Sequence, residues 1–365
     1  MIFDVAVFGG GPAGSIVSLC LARHGWRVAL FEATEFEDPR YGETLPPEMN
    51  PVLRELGLWD AFQSLSPVEA PGIISAWGTA IPEEQDFLRN PHGCGWHIDR
   101  NRFDEMLCLR AADAGAKLFL KSRAAPRALP AEVKADFLVD ASGRNGLRIE
   151  GGYSREDDDA LIAIVLHVRH AGAGFSTVPR DMRTCIESTP SGWWYTARLR
   201  DETIAMFFAD PEEYANVGIS PREQLADAPL TRSRLEHGSV VQSQIVRVSS
   251  SCRKEIFGAD WMAVGDSASS FDPLSGRGVF KAGRQAVIAA KALNAKLRGS
   301  DKPLSEYASL VRREFAACVR QRRQFYAAER RWLDQTFWRQ RARSREVPEN
   351  SESSDGDPHH FRRSF

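Results

Sequence analysis

Residues 2–14, IFDVAVFGGGPAG, decide how this chain folds. Ile2–Phe8 is a short apolar run rich in β-branched and aromatic residues, the pattern of a strand buried in a parallel sheet. It runs into Gly9-Gly10-Gly11-Pro12-Ala13-Gly14, which fits G-x-G-x-x-G, and then into SIVSLCLARHG, an apolar-periodic helix ended by Gly25. Arg27–Phe31 (RVALF) reads as a second strand, closed by Glu32, 18 residues after Gly14. Gly9 permits the tight turn, Gly11 lets the backbone approach a pyrophosphate, and Gly14 lets the helix pack closely on the strand. Pro12 and Ala13 open the helix, whose free N–H groups and partial positive charge face the phosphates. Glu32 stands where an acidic side chain binds ribose hydroxyls. A lone glycine motif is weak; strand, helix and acid at the expected distances make a dinucleotide site.

Farther along, Arg100–Gly115 (RNRFDEMLCLRAADAG) predicts a second helix, and Phe137–Asp140 (FLVD) a buried strand meeting the turn ASGRNG. Between about 155 and 248 the pattern changes. Ile162–Arg169, Thr184–Glu187, Gly192–Leu199, Thr203–Ala209 and Val240–Val248 are strand-like runs split by turn residues, which predicts an antiparallel sheet. Trp261–Gly265 (WMAVG) returns to the parallel-strand style, followed by VGDSASSFDPLSGRG and a long helix from Gly278 to Leu297. Asp266 at this strand end suits a ribityl hydroxyl, and Pro273, Gly276 and Gly278 let backbone approach a flavin ring; the plainer alternative is an N-capping Asp and a loop. Pro303 to Arg343 reads as continuously helical and is crowded with arginine. From Glu346 the composition is too polar to bury a core and predicts a disordered tail.

The expected units are a discontinuous dinucleotide-binding domain (1–154 and 249–300), a sheet domain (155–248), an arginine-rich helix (301–345) and the tail (346–365). Composition excludes other classes. The 365 residues are 43% hydrophobic, enough for a sizeable core, and carry a net charge of -2, so no overall field points to nucleic acid. Six scattered cysteines show neither a CxxC pair nor metal-ligand spacing, which favours a reducing compartment. No stretch is long and apolar enough to span a membrane and no signal-peptide pattern opens the chain; a cytoplasmic enzyme is expected. His167 and His170 fall on opposite faces of one strand, so no metal site is expected from them.

Together GGGPAG, GETLPP (Gly42–Pro47), GWHIDRNRFDEML (Gly95–Leu107), DASGRNG (Asp140–Gly146), VGDSASSFDPLSGRGV (Val264–Val279) and FYAAERRWLDQTFWRQR (Phe325–Arg341) resemble the FAD-dependent monooxygenase superfamily, over about residues 1 to 340. GETLPP and DPLSGRGV resemble its tryptophan halogenase-like branch. GWWY (Gly192–Tyr195) and the Trp/Arg-rich end are similar to flavoproteins that oxidise tryptophan in a partner polypeptide during tryptophylquinone cofactor formation. The resemblance implies an α/β fold with a Rossmann-like FAD-binding domain of glutathione-reductase type, an inserted antiparallel β-sheet substrate domain and a C-terminal helical region. It implies non-covalent FAD, the ADP half held by Gly9, Gly11, Gly14 and Glu32. Arg100 would cap its helix and contact the cofactor, Asp266 would bind the ribityl chain, and Pro273 through Gly278 would lie by the ring. Asp140 and Gly143 belong to the strand-turn that completes the domain. Two departures stand out: Gly115–Asp140 is shorter than the family's usual segment, and no lysine lies near SGWWYTARL or SAWGTAIP, where halogenases carry a WxWxIP element and a catalytic lysine.

The expected reaction is hydroxylation of an electron-rich aromatic ring, small molecule or tryptophan side chain. The alternatives are halogenation, flavin-dependent reduction, or FAD binding without turnover. Electrons would come from NAD(P)H or a separate flavin reductase, since no second dinucleotide motif is present. Glu43 and His97 are the polar candidates for proton transfer, against a helix-capping carboxylate and a core histidine. Trp193 and Trp194 are adjacent in a strand, so one can line a substrate cavity while the other packs. Arg312, Arg313, Arg320, Arg322, Arg323, Arg330, Arg331, Arg339, Arg341, Arg343 and Arg345 form either a solvated packed helix or a docking face for an acidic partner.

Overall fold

The computed structural model describes residues 1–123, 129, 133–147, 154–170, 181–218 and 220–342. The expected tail from Glu346, with Arg343 and Arg345, lies outside the described residues.

Five parallel strands form one sheet in the order Trp261–Ala263, Lys134–Asp140, Ile2–Phe8, Val28–Phe31, Lys117–Phe119. In chain order this is 5-4-1-2-3, so the direction of winding reverses between Ile2–Phe8 and Lys134–Asp140. Ligands bind outside the carboxyl ends of strands at such a switch point. The apolar run of Ile2–Phe8 is explained by burial on both faces: Val5 and Val7 pack under the helices, while Ala6 and Phe8 join Phe31 and Phe119 on the other side. Helix Pro12–Arg23 and helix Gly278–Leu297 pack against each other over this sheet. Gly283 sits at this contact, where an added Cβ would lie 3.4 Å from Ile16 Cδ1 of the first helix and 3.1 Å from Met49 Cε.

A seven-stranded sheet carries the other half of the molecule, in the order Gly238–Arg247, Ile162–His170, Glu202–Ala209, Gly192–Arg198, Thr184–Thr189, Gly72–Ala76, Glu83–Asp86. The five runs read from the sequence between 155 and 248 are its first five strands. Its last two come from residues 72–86, and Gly72–Ala76 joins Thr184–Thr189 in parallel. The period-2 alternation sorts the sheet into two faces. Trp194 and Phe207 face a layer of short helices within Pro211–Leu235. Trp193, Phe208, Met206 and Val165 face Leu274 and the chain's C-terminal aromatics.

The continuous helix expected over 303–343 is instead two helices, Lys302–Ala328 and Thr336–Ala342. The break has a physical cause. Glu329 leaves helical geometry (ψ 108) and turns its fully buried carboxylate onto Gly78 N (2.8 Å), Ser188 Oγ (2.7 Å) and Arg331 Nη2 (2.6 Å). Four of the nine described arginines of this stretch are spent inside the fold, while Arg312, Arg313, Arg320, Arg330 and Arg339 are exposed. Arg322 and Arg323 pair with Asp158, Arg331 with Glu329, and Arg341 lies 3.9 Å from the centre of the Phe337 ring. Arg331 is therefore a clamp within the structure, which is the packed-helix alternative for this residue.

Candidate active site

The glycine loop has the conformation its motif predicts. Gly9 sits at φ 109, and a Cβ there would meet the Ala141 carbonyl oxygen at 2.4 Å. A Cβ on Gly14 would lie 2.0 Å from the Gly9 carbonyl oxygen, so only hydrogen fits where helix meets loop. At Gly11, the helix N-cap with Pro12 and Ala13 behind it, the nearest atom to an added Cβ is Asp104 Oδ2 at 4.0 Å. Backbone is thus exposed to an approaching group at Gly11 and packed shut at its neighbours, which fits a pyrophosphate.

Glu32, only 5% exposed, already organises this loop. Its Oε2 accepts from Gly10 N at 2.8 Å, and its Oε1 accepts from Thr34 N at 3.0 Å. Arg40 bridges Glu32 (2.8 Å) and Asp104 (3.1 Å), and Arg100 reaches Asp104 with both Nε (3.1 Å) and Nη2 (2.9 Å) while donating to the Tyr41 carbonyl. Arg40 and Asp104 were not singled out in the sequence. Asp104 could have been found as the i+4 partner of Arg100; Arg40 lies in a loop without a signal.

Across the cleft, Asp266 lies in a short turn after Trp261–Ala263. Burial would raise its pKa, but Lys281 (2.7 Å) and Arg144 (3.4 Å), with Arg155 nearby, outweigh burial and hold it below the ordinary aspartate value. Pro273–Ser275 forms a single 3₁₀ turn ended by Gly276 at φ 59, and Gly278 opens the long helix. A Cβ at Gly276 or Gly278 would meet nothing within 4 Å, so this loop is open for a flat ring. Asp140 is fully buried against Arg253 at 2.5 Å and accepts from Ser142 N and Leu147 N. With Gly143 at φ 79 it shapes the strand-turn beside the switch point.

GETLPP brings Glu43 to the same region. A Cβ on Gly42 would meet Arg100 Nη1 at 2.9 Å and Val279 Cγ2 at 3.4 Å, so this segment lies against the start of the helix that follows Gly278. Glu43 is buried, its Oε2 has no hydrogen-bond partner, and burial pushes its carboxyl up to about 7. Tyr41 Oη is likewise buried and without a partner, and burial, with Glu43 nearby, pushes it up to about 12. Thr44 Oγ1 meets Tyr195 Oη at 2.5 Å. The segment therefore abuts the face of the large sheet that carries Tyr195, and one unpaired carboxyl oxygen and one unpaired phenol are buried there.

Two sequence candidates do different work. His97 is fully buried, with Nδ1 3.0 Å from the Arg198 carbonyl and Nε2 3.0 Å from Thr184 Oγ1. A carbonyl only accepts, so Nδ1–H donates to it and Nε2 accepts from Thr184. Burial lowers the His97 pKa to about 4. It is neutral with both nitrogens committed, so its expected proton-transfer role is corrected to fastening strand Gly95–His97 to the sheet. Trp193 is 1% exposed, stacks on Phe208 (centroids 3.8 Å apart) and donates from Nε1 to Tyr326 Oη at 3.0 Å. It belongs to the aromatic core under the C-terminal helices, which corrects its placement as a substrate-lining residue. Trp194 packs on the opposite face, leaving Tyr195 as the residue of GWWY that reaches the GETLPP segment.

A family model described as tryptophan halogenase matches residues 73–354. The putative FAD-dependent oxidoreductase LodB of Marinomonas mediterranea is 27% identical over 365 residues, covering 93% of this chain and 96% of that one. Among solved structures, the myxobacterial chondrochloren halogenase CndH, a variant of FAD-dependent halogenases, superposes with TM-score 0.81 at 24% identity, over 93% of this chain and 86% of that one. The peptidyl tryptophan dihydroxylase QhpG, essential for tryptophylquinone cofactor biogenesis, superposes with TM-score 0.70 at 22% identity, over 94% and 79%. The family match spans well over half of the sequence: this chain is an FAD-dependent oxidoreductase and belongs to the tryptophan halogenase family.

Proposed function

We propose that this protein oxidises an electron-rich aromatic ring, using FAD and oxygen, beside the GETLPP segment where it meets the Tyr195-bearing face of the large sheet. One observation carries the reading: the buried Glu43 carboxyl, with an unpartnered oxygen and a pKa of about 7, follows Gly42, which lies against Val279 at the start of the helix after the open loop. Gly9–Gly14 and Glu32 would hold the ADP half of FAD, Asp266 the ribityl chain and Pro273–Gly278 the ring, with Arg100 reaching the site through Asp104. Bound FAD supplies the two-electron activation of oxygen that no side chain provides. Electrons reach it from NAD(P)H or a separate flavin reductase. The rest is the protein's work. Tyr41 and Tyr195 offer aromatic surface, and burial excludes bulk water. An aromatic ring that takes up an electrophile must then lose a proton. Glu43 Oε2 is the acceptor for it once deprotonated, so this role operates above about pH 7.

The family match and the likeness to a halogenase weigh toward halogenation, against the hydroxylation expected from the sequence. One observation favours hydroxylation. Of the chain's lysines only Lys281 is buried, and its amine is taken by Asp266 and the Ser269 carbonyl. No lysine amine accompanies Glu43 among the described residues.

The test supplies FAD kept reduced by a separate reductase, oxygen-18, bromide, and free tryptophan or an indole-bearing peptide, and reads product mass. Bromine in the product establishes halogenation, and labelled oxygen establishes hydroxylation. Preference for peptide over free tryptophan identifies a polypeptide substrate. Hydrogen peroxide as the sole product with both probes counts against the reading.

A further inference from the structure

Glu43 is sealed from solvent, and an acid/base group that turns over needs a route for its proton. His167, read from the sequence only as half of a discarded metal pair, lies on the face of the sheet that the GETLPP segment meets. The register places Tyr195 opposite Met206 and Met206 opposite Val165; His167, two residues on, stands opposite Ile204 on the same face. Its Nε2 is buried without a partner, as is Glu43 Oε2. Its other nitrogen, Nδ1, lies 3.3 Å from Glu202 Oε2. Glu202 in turn lines an open cavity of about 520 Å³, with Ser66, Asp99, Arg102, Arg169 and Arg200 around it. An unpaired buried acid, a histidine with one nitrogen unpaired and the other on a carboxylate, and an open cavity at that carboxylate lie on one face of the sheet.

We infer that His167 and Glu202 form a proton path joining Glu43 to water in this cavity, an inference that rests on Glu43 being the acid/base group of the site. The step balances without any change in the charge of the ring. Because the two atoms share no hydrogen bond, a proton leaving Glu43 Oε2 crosses through water to His167 Nε2 as the Nδ1 proton passes to Glu202, which releases it to the cavity; the inward proton that flavin reoxidation consumes runs the path backwards and restores the Nδ1–H tautomer. Electrostatics support it. The hydrogen bond that His167 donates to Glu202, with Glu43 contributing, raises the His167 pKa above the usual histidine value. Arg100 and Tyr41 face Glu43 from the other side, Arg169 follows His167 on its own strand, and Gln242 and Gln244 opposite are uncharged.

Two measurements on the FAD-loaded protein test this path. In the histidine NMR titration, His167 should titrate above the other histidines, and both E202Q and E43Q should lower its midpoint. The second follows reoxidation of bound reduced FAD by oxygen, which forms hydrogen peroxide and consumes one proton. H167G should slow it about tenfold or more, and imidazole entering through the cavity should restore the rate, while H167Q should stay slow. A His167 midpoint unmoved by E43Q, or no slowing in H167G, overturns the path; slowing that imidazole does not relieve also counts against it. If E43Q itself reoxidises at the wild-type rate, the acid/base reading of Glu43 fails instead.

Discussion

Replacing Glu32 with alanine should weaken FAD binding by about 1.5–3 kcal/mol, the worth of a hydrogen bond to a charged acceptor. That is a rise in Kd of about 10- to 150-fold. The structure gives two reasons for a loss of this size. The carboxylate is the acidic group at the end of the second strand, where a ribose diol binds, and it also fixes the glycine loop through Gly10 N at 2.8 Å before any ligand arrives. Removing it takes away one of Arg40's two carboxylate partners. The assay titrates flavin-free protein into FAD and follows flavin fluorescence at fixed salt, with circular dichroism confirming the fold. E32Q keeps one acceptor oxygen and should fall between wild type and E32A, which also covers the case of an alanine variant that fails to fold. A Kd within about twofold of wild type in a folded E32A or E32Q protein would refute the assignment.

Lys281→Met should lower both FAD affinity and stability, the latter by about 1–3 kcal/mol, because Asp266, itself a quarter exposed, loses its nearest cation and keeps Arg144 as its ion pair; thermal melts with and without FAD check this. Arg331→Glu should destabilise the fold, since it places a second carboxylate against buried Glu329, whereas the exposed Arg330→Glu should leave the melting temperature within about 2 °C. Glu43→Gln should stabilise the protein relative to wild type at pH 8 more than at pH 5, by about 3 kcal/mol. The sign follows from a folded-state pKa of about 7 against an ordinary 4.5: wild type binds more protons when folded, so its stability falls as pH rises between those values. Denaturant melts across that range measure the difference.

The dinucleotide half was legible because its constraints are local. Gly9, Gly11 and Gly14 answer to backbone space within one turn, and Glu32 to the end of one strand, so spacing alone reveals them. The long helix Gly278–Leu297 was likewise read with its ends, since glycine and apolar periodicity mark them. The rest depends on which strands meet. Whether Trp193 or Trp194 faced the flavin side could not be known before the sheet was assembled, and assembly sent Trp193 into the C-terminal aromatics. His97 resembled a proton carrier until Thr184 and the Arg198 carbonyl, distant in sequence, closed on both its nitrogens. Helical periodicity carried on through Glu329, but its contacts with Gly78 and Ser188 break the helix, and no local rule anticipates them. Arg40 and the unpartnered nitrogen of His167 emerge only from three-dimensional proximity.

The proposed function requires Glu43 to be a buried carboxyl that titrates near neutrality, and infrared difference spectroscopy reads that property without knowing the substrate. Spectra of FAD-loaded wild-type protein between pH 5 and 9 should contain a protonated-carboxyl C=O band that is lost with a midpoint of about 7 and is missing from E43Q. A band that persists in E43Q, or the absence of any carboxyl titrating between pH 5 and 9, would contradict the account.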